Sequence, residues 1–288
     1  MNVYSPSSTK TFAECPMKRE LQKQNYVLKY AGKPFVSRAM GVAMAAGLEQ
    51  YNLRRLGGHV IGKLFDNRAL PIWEREIRAF RDAGGVITDE TFESRVPPLM
   101  QRALKYYEEN DIVPTNWTIH SVEHTFEHGG NARADLIVID NEGYAPLDYK
   151  MKETLYVKPG ETRDAARART LLEFENDWQL KHYVWGIRRF IGQPCHHYYI
   201  VLGELAPKPH FTLQRFDVTE RSMQQWIDAA HSWWADMQDS DSDMTNLPRM
   251  SPTHETKYGK CEYYAACIDA ELDETKFQHK YIKVERRG

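Results

Sequence analysis

The stretch that most constrains this chain is residues 132–152, ARADLIVIDNEGYAPLDYKMK. Leu136-Ile137-Val138-Ile139 is an apolar, β-branched run of the kind found in buried strands. Asn141-Glu142-Gly143 reads as a hairpin turn, and Tyr144-Ala145-Pro146-Leu147 carries the return strand into Asp148-Tyr149-Lys150. Asp135 opens the apolar run of the first strand and Asp148 lies late in the second, so a tight hairpin brings both carboxylates to the same end. Strand alternation sets Asp148 and Lys150 on one face and Tyr149 on the other.

Two carboxylates that meet in a partly buried place repel, and one is driven to protonate unless a cation lies between them. Mg2+ or Mn2+ suits that position. Such hard ions take oxygen ligands, usually one or two carboxylates, and complete their octahedron with water and phosphate oxygens. Asp135 and Asp148 are the candidate metal ligands, with the backbone carbonyl of Tyr149 as a further oxygen. Lys150 would orient or deprotonate an attacking water, or stabilise charge building on a phosphate. These residue types together suit phosphodiester hydrolysis. A D-x-K tripeptide by itself is common by chance, and an Asp at a strand end is often only a turn former. The weight comes from Asp135 and from three further segments.

Tyr4–Pro16, YSPSSTKTFAECP, is similar to the signature S-x-S-x-x-x-x-F-x-x-C-P. Gln179 and Tyr183 form a Q-x-x-x-Y element, and Cys261 and Cys267 bracket a cysteine-bearing C-terminal segment. With Asp135 and Asp148-x-Lys150 between them, these pieces resemble the PD-(D/E)XK nuclease superfamily, in its branch of RecB-like nuclease domains and CRISPR-associated exonucleases. Each piece is weak alone; four in the expected order, from residue 4 to residue 267, are specific. The resemblance implies an α/β, restriction-endonuclease-like core, a central mixed sheet flanked by helices. It also implies Asp135, Asp148 and Lys150 as catalytic residues, Gln179 and Tyr183 as substrate contacts, and DNA ends as substrate. Residues 165–190 read as one long helix, on which Gln179 and Tyr183 stack on one face.

Two departures from that pattern stand out. Many RecB-like members carry G-x-x-x-H and then a glutamate on a helix before the core, the histidine being a metal ligand. Here Ala45 stands at the histidine position, with Glu49 one turn later either as a replacement ligand or as a solvated residue. Members with an iron–sulfur cluster use four cysteines, and this chain offers Cys15, Cys261 and Cys267, with Tyr258 at the fourth place. That leaves a packed remnant joining the two ends of the chain, or a cluster or zinc completed by a residue such as His254. Cys195 reads as a small buried residue. The signature context and the absence of a signal peptide point to a reducing, cytoplasmic setting.

The chain has 288 residues, 42% of them hydrophobic, enough to bury a full core. No window is apolar for the length of a membrane span. A net charge of −2 gives no global pull on a polyanion. Lys150, Lys152, Lys158, Arg163, Arg167, Arg169, Lys181, Arg188 and Arg189 nevertheless follow the catalytic hairpin and predict a basic rim. Periodicity from about 35 to 110 is helical, with Trp73, Ile77, Phe80, Leu99, Leu104, Tyr106 and Tyr107 facing inward. The expected organisation is an N-terminal helical region (1–115) followed by the nuclease core (116–288). Strands are expected at 116–127, 133–140, 144–150, 196–203 and 210–217, with a helix from about 219 carrying Trp226, Trp233 and Trp234.

The reading is a Mg2+- or Mn2+-dependent deoxyribonuclease acting on linear DNA as an exonuclease or DNA-end-processing enzyme. Two rivals stay open: a DNA-binding protein that has kept the fold and lost turnover, and a structural subunit of a recombination, defence or CRISPR-type complex.

Overall fold

The computed structural model describes residues 33–57, 63–88, 91–127 and 132–240, with short strands at 26–28, 30–31, 255–256, 259–260 and 281–283. The opening signature with Cys15, and His254, Tyr258, Cys261 and Cys267, lie outside the described residues.

Three helices come first: α1 (Lys33–Arg55), α2 (Leu70–Asp82) and α3 (Phe92–Glu109). In α1 the buried residues Val36, Met40, Met44, Leu48 and Asn52 recur at helical spacing and define its inner stripe. Gly47 lets α1 approach α3 closely, since a Cβ there would lie 2.8 Å from the Leu104 side chain. At its C-terminus, Arg55 donates to the carbonyls of Val113 (2.8 Å) and Pro114 (2.9 Å), tying α1 to the chain that enters the sheet.

The sheet has five strands: β1 (Thr118–Phe126), β2 (Ala132–Asp140), β3 (Gly143–Lys152), β4 (His197–Glu204) and β5 (His210–Asp217). They lie side by side in chain order. All neighbours are antiparallel except β3 and β4, which are parallel. A parallel pair needs a long crossover, and here it contains α4 (Arg163–Leu172) and α5 (Trp178–Gly186). β4 is buried along its whole length, as its uninterrupted apolar run YYIVL requires. Cys195, just before it, is buried as expected.

Helices cover both faces. Met44, Leu48, Leu104 and Tyr107 pack on Leu136, Leu147 and Val201 from one side. Leu180 and Tyr183 of α5, with Trp226 and Trp234 of α6 (Glu220–Ser240), pack on Ile137, Tyr198 and Ile200 from the other. The result is the expected mixed sheet between helical layers. Trp73, Ile77, Phe80, Leu99, Leu104 and Tyr107 are buried as the periodicity predicts, and Tyr106 is half-buried. Trp233 is half-buried too, its ring 4.4 Å from that of Trp178. No helix among the described residues is long and apolar enough to cross a membrane.

The expected single helix over 165–190 is a correction: α4 ends at Leu172 and α5 begins at Trp178. Asp177 makes the break. Its backbone is extended and its carboxylate accepts the amides of Gln179 (2.8 Å) and Leu180 (3.2 Å), an N-cap that starts a second helix.

Candidate active site

The β2–β3 hairpin closes on the pair Asp140 and Gly143, and Gly143 adopts φ +123°, a backbone conformation that side chains disfavour. The ladder runs back to Leu136 opposite Leu147 and stops there. On the other flank, β1 pairs Val122 with Leu136 and His124 with Ala134, passing over Asp135. Its counterpart Glu123 has φ +51°, a strained left-handed conformation for a glutamate. On the β1 side a single pair is skipped at Asp135 and the ladder resumes, whereas on the β3 side the ladder ends just before it. Into that gap comes the Tyr149 amide, which donates to Asp135 Oδ2 at 2.9 Å and draws this carboxylate to the peptide between Asp148 and Lys150.

Asp148 is 2% exposed, and Lys150 Nζ lies 2.6 Å from its Oδ2. The two share a face as strand alternation predicts, while the Tyr149 phenol reaches Asn52 and Tyr107 on the other side. Burial and the charge of Asp148 push the Asp135 carboxyl well above the usual carboxylate range, against the pull of the Tyr149 amide. For Lys150, burial acts to lower the pKa, but Asp148 beside it outweighs that and the ammonium is held above its ordinary value. The resting site is thus an ion pair between a half-buried lysine and a buried aspartate, next to a carboxyl that resists ionisation.

α5 supplies the opposite wall. Tyr183 is 1% exposed, so it differs from the expected substrate contact: its hydroxyl donates to the Arg133 carbonyl at 2.5 Å and accepts from Gln179 Nε2. Burial and the nearby Asp148 charge raise its pKa, so the phenol keeps its proton. Gln179 is half-buried and remains the side chain of the pair able to meet a ligand. The Phe174 ring lies 5.9 Å from Lys150 Nζ.

Sequence reasoning missed Glu123. It pairs with Arg133 Nε at 2.6 Å, and its carboxyl is raised by burial and by the charges of Glu49 and Asp148. The charge of Glu49, half-buried on α1 one turn after Ala45, therefore bears on Glu123. A lone Glu in the alternating run of β1 carries no local signal of this. Among the described residues, no group of three or more His, Cys, Asp or Glu side chains has the arrangement of a metal cage. The buried Asp148 and half-buried Asp135, the latter held neutral by its surroundings and by the charge of Asp148, fit a dication that keeps water and phosphate oxygens in its shell.

Four of the arginines expected in the basic rim are engaged by carboxylates of the protein itself. Arg163 and Arg167 both bind the carboxylate of Glu204, which is 1% exposed. Arg169 pairs with Glu161 at 2.9 Å and Arg188 with Glu220 at 2.8 Å. Lys181 is buried and donates to Asn176 at 3.0 Å. The four arginines brace the crossover and its flanks, and their charge is largely matched by carboxylates.

A family model described as the PD-(D/E)XK nuclease superfamily matches residues 3–268. Comparison with curated proteins gives no match. The match spans the helical region, the split hairpin and the Gln179 helix together, and the chain belongs to the PD-(D/E)XK nuclease superfamily, whose members hydrolyse phosphodiester bonds.

Proposed function

We propose that this chain is a divalent-metal-dependent deoxyribonuclease of the RecB-like branch, working as an exonuclease or DNA-end-processing enzyme. The observation that carries the reading is the convergence of Asp135, Asp148 and Lys150 where the β2–β3 ladder ends. Asp135, Asp148 and the Tyr149 carbonyl would hold Mg2+ or Mn2+, with Glu49 as an additional candidate. Such an ion polarises a phosphodiester and lowers the pKa of bound water. Lys150 rests as a cation, which suits it to orienting a water and stabilising negative charge on the phosphate. Gln179 offers its amide to a phosphate or base, and Tyr183 holds both Gln179 and the Arg133 carbonyl in position. The likeness of the opening signature and of the Q-x-x-x-Y element to RecB-like members supports DNA ends as substrate.

The test is degradation of end-labelled linear single- and double-stranded DNA beside a closed circle, with Mg2+, Mn2+ or EDTA. Metal-dependent loss of the linear substrates but not the circle, abolished by Lys150→Ala, is the expected result. DNA bound and left intact under every metal would instead mean a binding protein in a nuclease fold, with Ala45 at the histidine position as its motive.

A further inference from the structure

The helical region touches the catalytic strand through a buried polar clamp. Asn52 of α1 is 0% exposed, and its Nδ2 donates to the Leu48 carbonyl (2.9 Å) and to the Tyr149 phenol oxygen (2.9 Å). Tyr107 of α3, also 0% exposed, shares a hydrogen bond of 2.8 Å with the same phenol. Its ring is fixed in turn by Tyr51, edge-on at 5.2 Å. Burial raises the pKa of both Tyr107 and Tyr149, so the clamp is made of neutral groups.

The other end of Tyr149 is the working end. Its amide holds Asp135, and its two neighbours are Asp148 and Lys150. β3 has lost its ladder to β2 at this level. Rotation of the strand about its own axis is then resisted by β4 on one side and by whatever grips the Tyr149 side chain. Because strand side chains alternate, fixing Tyr149 toward α1 and α3 fixes Asp148 and Lys150 toward α5. Asn52 also carries a cost: its Oδ1 is buried without a hydrogen-bond partner among the described residues. An apolar residue of similar shape would avoid that cost but also lose both Nδ2 hydrogen bonds, so the net contribution of the asparagine to stability is small while its grip on Tyr149 is specific.

We propose that Asn52 and Tyr107 are positioning residues of the active site. They clamp the Tyr149 phenol and thereby set the Tyr149 peptide on which Asp135, Asp148 and Lys150 are arranged. The inference rests on the nuclease reading above and extends it to the helices.

The test uses the full chain with Asn52→Leu, Tyr149→Phe and, as a control that leaves the clamp alone, Asp148→Asn. Three quantities are read: melting in EDTA, the Mn2+ dissociation constant without DNA, and hydrogen exchange of the Tyr149 amide in the metal-free protein. Asn52→Leu is expected to melt close to the wild-type temperature, since relief of the unpaired Oδ1 offsets part of the loss of the two Nδ2 hydrogen bonds. In both clamp variants Mn2+ binding is expected to weaken about 10- to 100-fold, as losses behind metal ligands do, and the Tyr149 amide to exchange faster while amides of β4 do not. If cleavage is measurable, kcat falls and KM does not. Unchanged Tyr149 exchange, or Mn2+ binding that falls only in step with melting, overturns the clamp. A wild type that binds no Mn2+ overturns the nuclease reading, and the exchange data still decide the clamp.

Discussion

Asp135→Asn should move stability and activity in opposite directions. In the metal-free protein the Asp135 carboxyl is held well above its usual range by burial and by the charge of Asp148, so its ionised form destabilises the fold. Asparagine keeps a side-chain oxygen to accept the Tyr149 amide, now bonded at 2.9 Å, and brings no charge for Asp148 to repel. No hydrogen bond is lost and one repulsion is removed. Relief of a destabilised functional group is worth about 1–2 kcal/mol, or about 2–8 °C of melting temperature at about 2–4 °C per kcal/mol. The sign with pH follows from a folded pKa raised above the unfolded one. The difference is largest in mildly alkaline buffer and shrinks as pH falls through the raised value, where wild-type Asp135 is already neutral. Excess Mn2+ should reverse the order, because mass action stabilises only the form that binds it, by about 2.7 kcal/mol at about 100-fold over Kd. Calorimetric melting across pH, with EDTA or Mn2+, reads all of this, and cleavage should be absent in the variant. An Asp135→Asn protein that melts below wild type in alkaline EDTA, or gains equally from Mn2+, would refute the reasoning.

Asp177→Ala removes the cap that starts α5 and should cost about 1 kcal/mol in urea denaturation; because Gln179 stands in that first turn, kcat should fall as well. Arg163→Ala should lower stability by about 1–3 kcal/mol, since it strips hydrogen bonds from buried Glu204. The same variant should leave the salt dependence of DNA binding unchanged, whereas loss of a phosphate contact would reduce the slope of log K against log salt by about 1. Asp140 accepts from the amides of Glu142 and Gly143, from His197 Nε2 and from the Tyr199 hydroxyl. Burial opposes its ionisation, but these bonds outweigh it and hold its pKa below the usual value. The stability it contributes is therefore present above its unfolded pKa of about 3.9 and lost as pH falls through the lower folded value. Asp140→Ala should cost about 3 kcal/mol near neutral pH, with the gap to wild type narrowing only in strong acid.

The strands were legible because their signal is local. A period of two and a β-branched run identify β2, and the same period assigns Asp148, Tyr149 and Lys150 to their faces without further information. The reading of 165–190 failed for a reason of the same kind. Apolar periodicity continues through Glu173–Asp177, and only the Asp177 carboxylate, turned onto the amides of Gln179 and Leu180, shows that a second helix starts there. Charges were legible in sign and not in partner. Arg163 and Arg167 read as a rim for DNA, yet they meet Glu204, 41 and 37 residues further on, at the end of β4.

By itself the amino-acid sequence determined the chemical inventory, its order along the chain, the strand and helix periods, and the faces on which Asp148 and Lys150 project. The tertiary structure alone decided that β1 and β3 both leave Asp135 unpaired, that the charge of Glu49 bears on Glu123, and that Tyr149 is gripped by Asn52, 97 residues away, and by Tyr107, 42 away. Periodicity is set by neighbours a few residues apart, so it can be read along a line. Separation between carboxylates, their burial and the partner of each cation depend on segments remote in sequence, and those are set only when the helical layers close on the sheet.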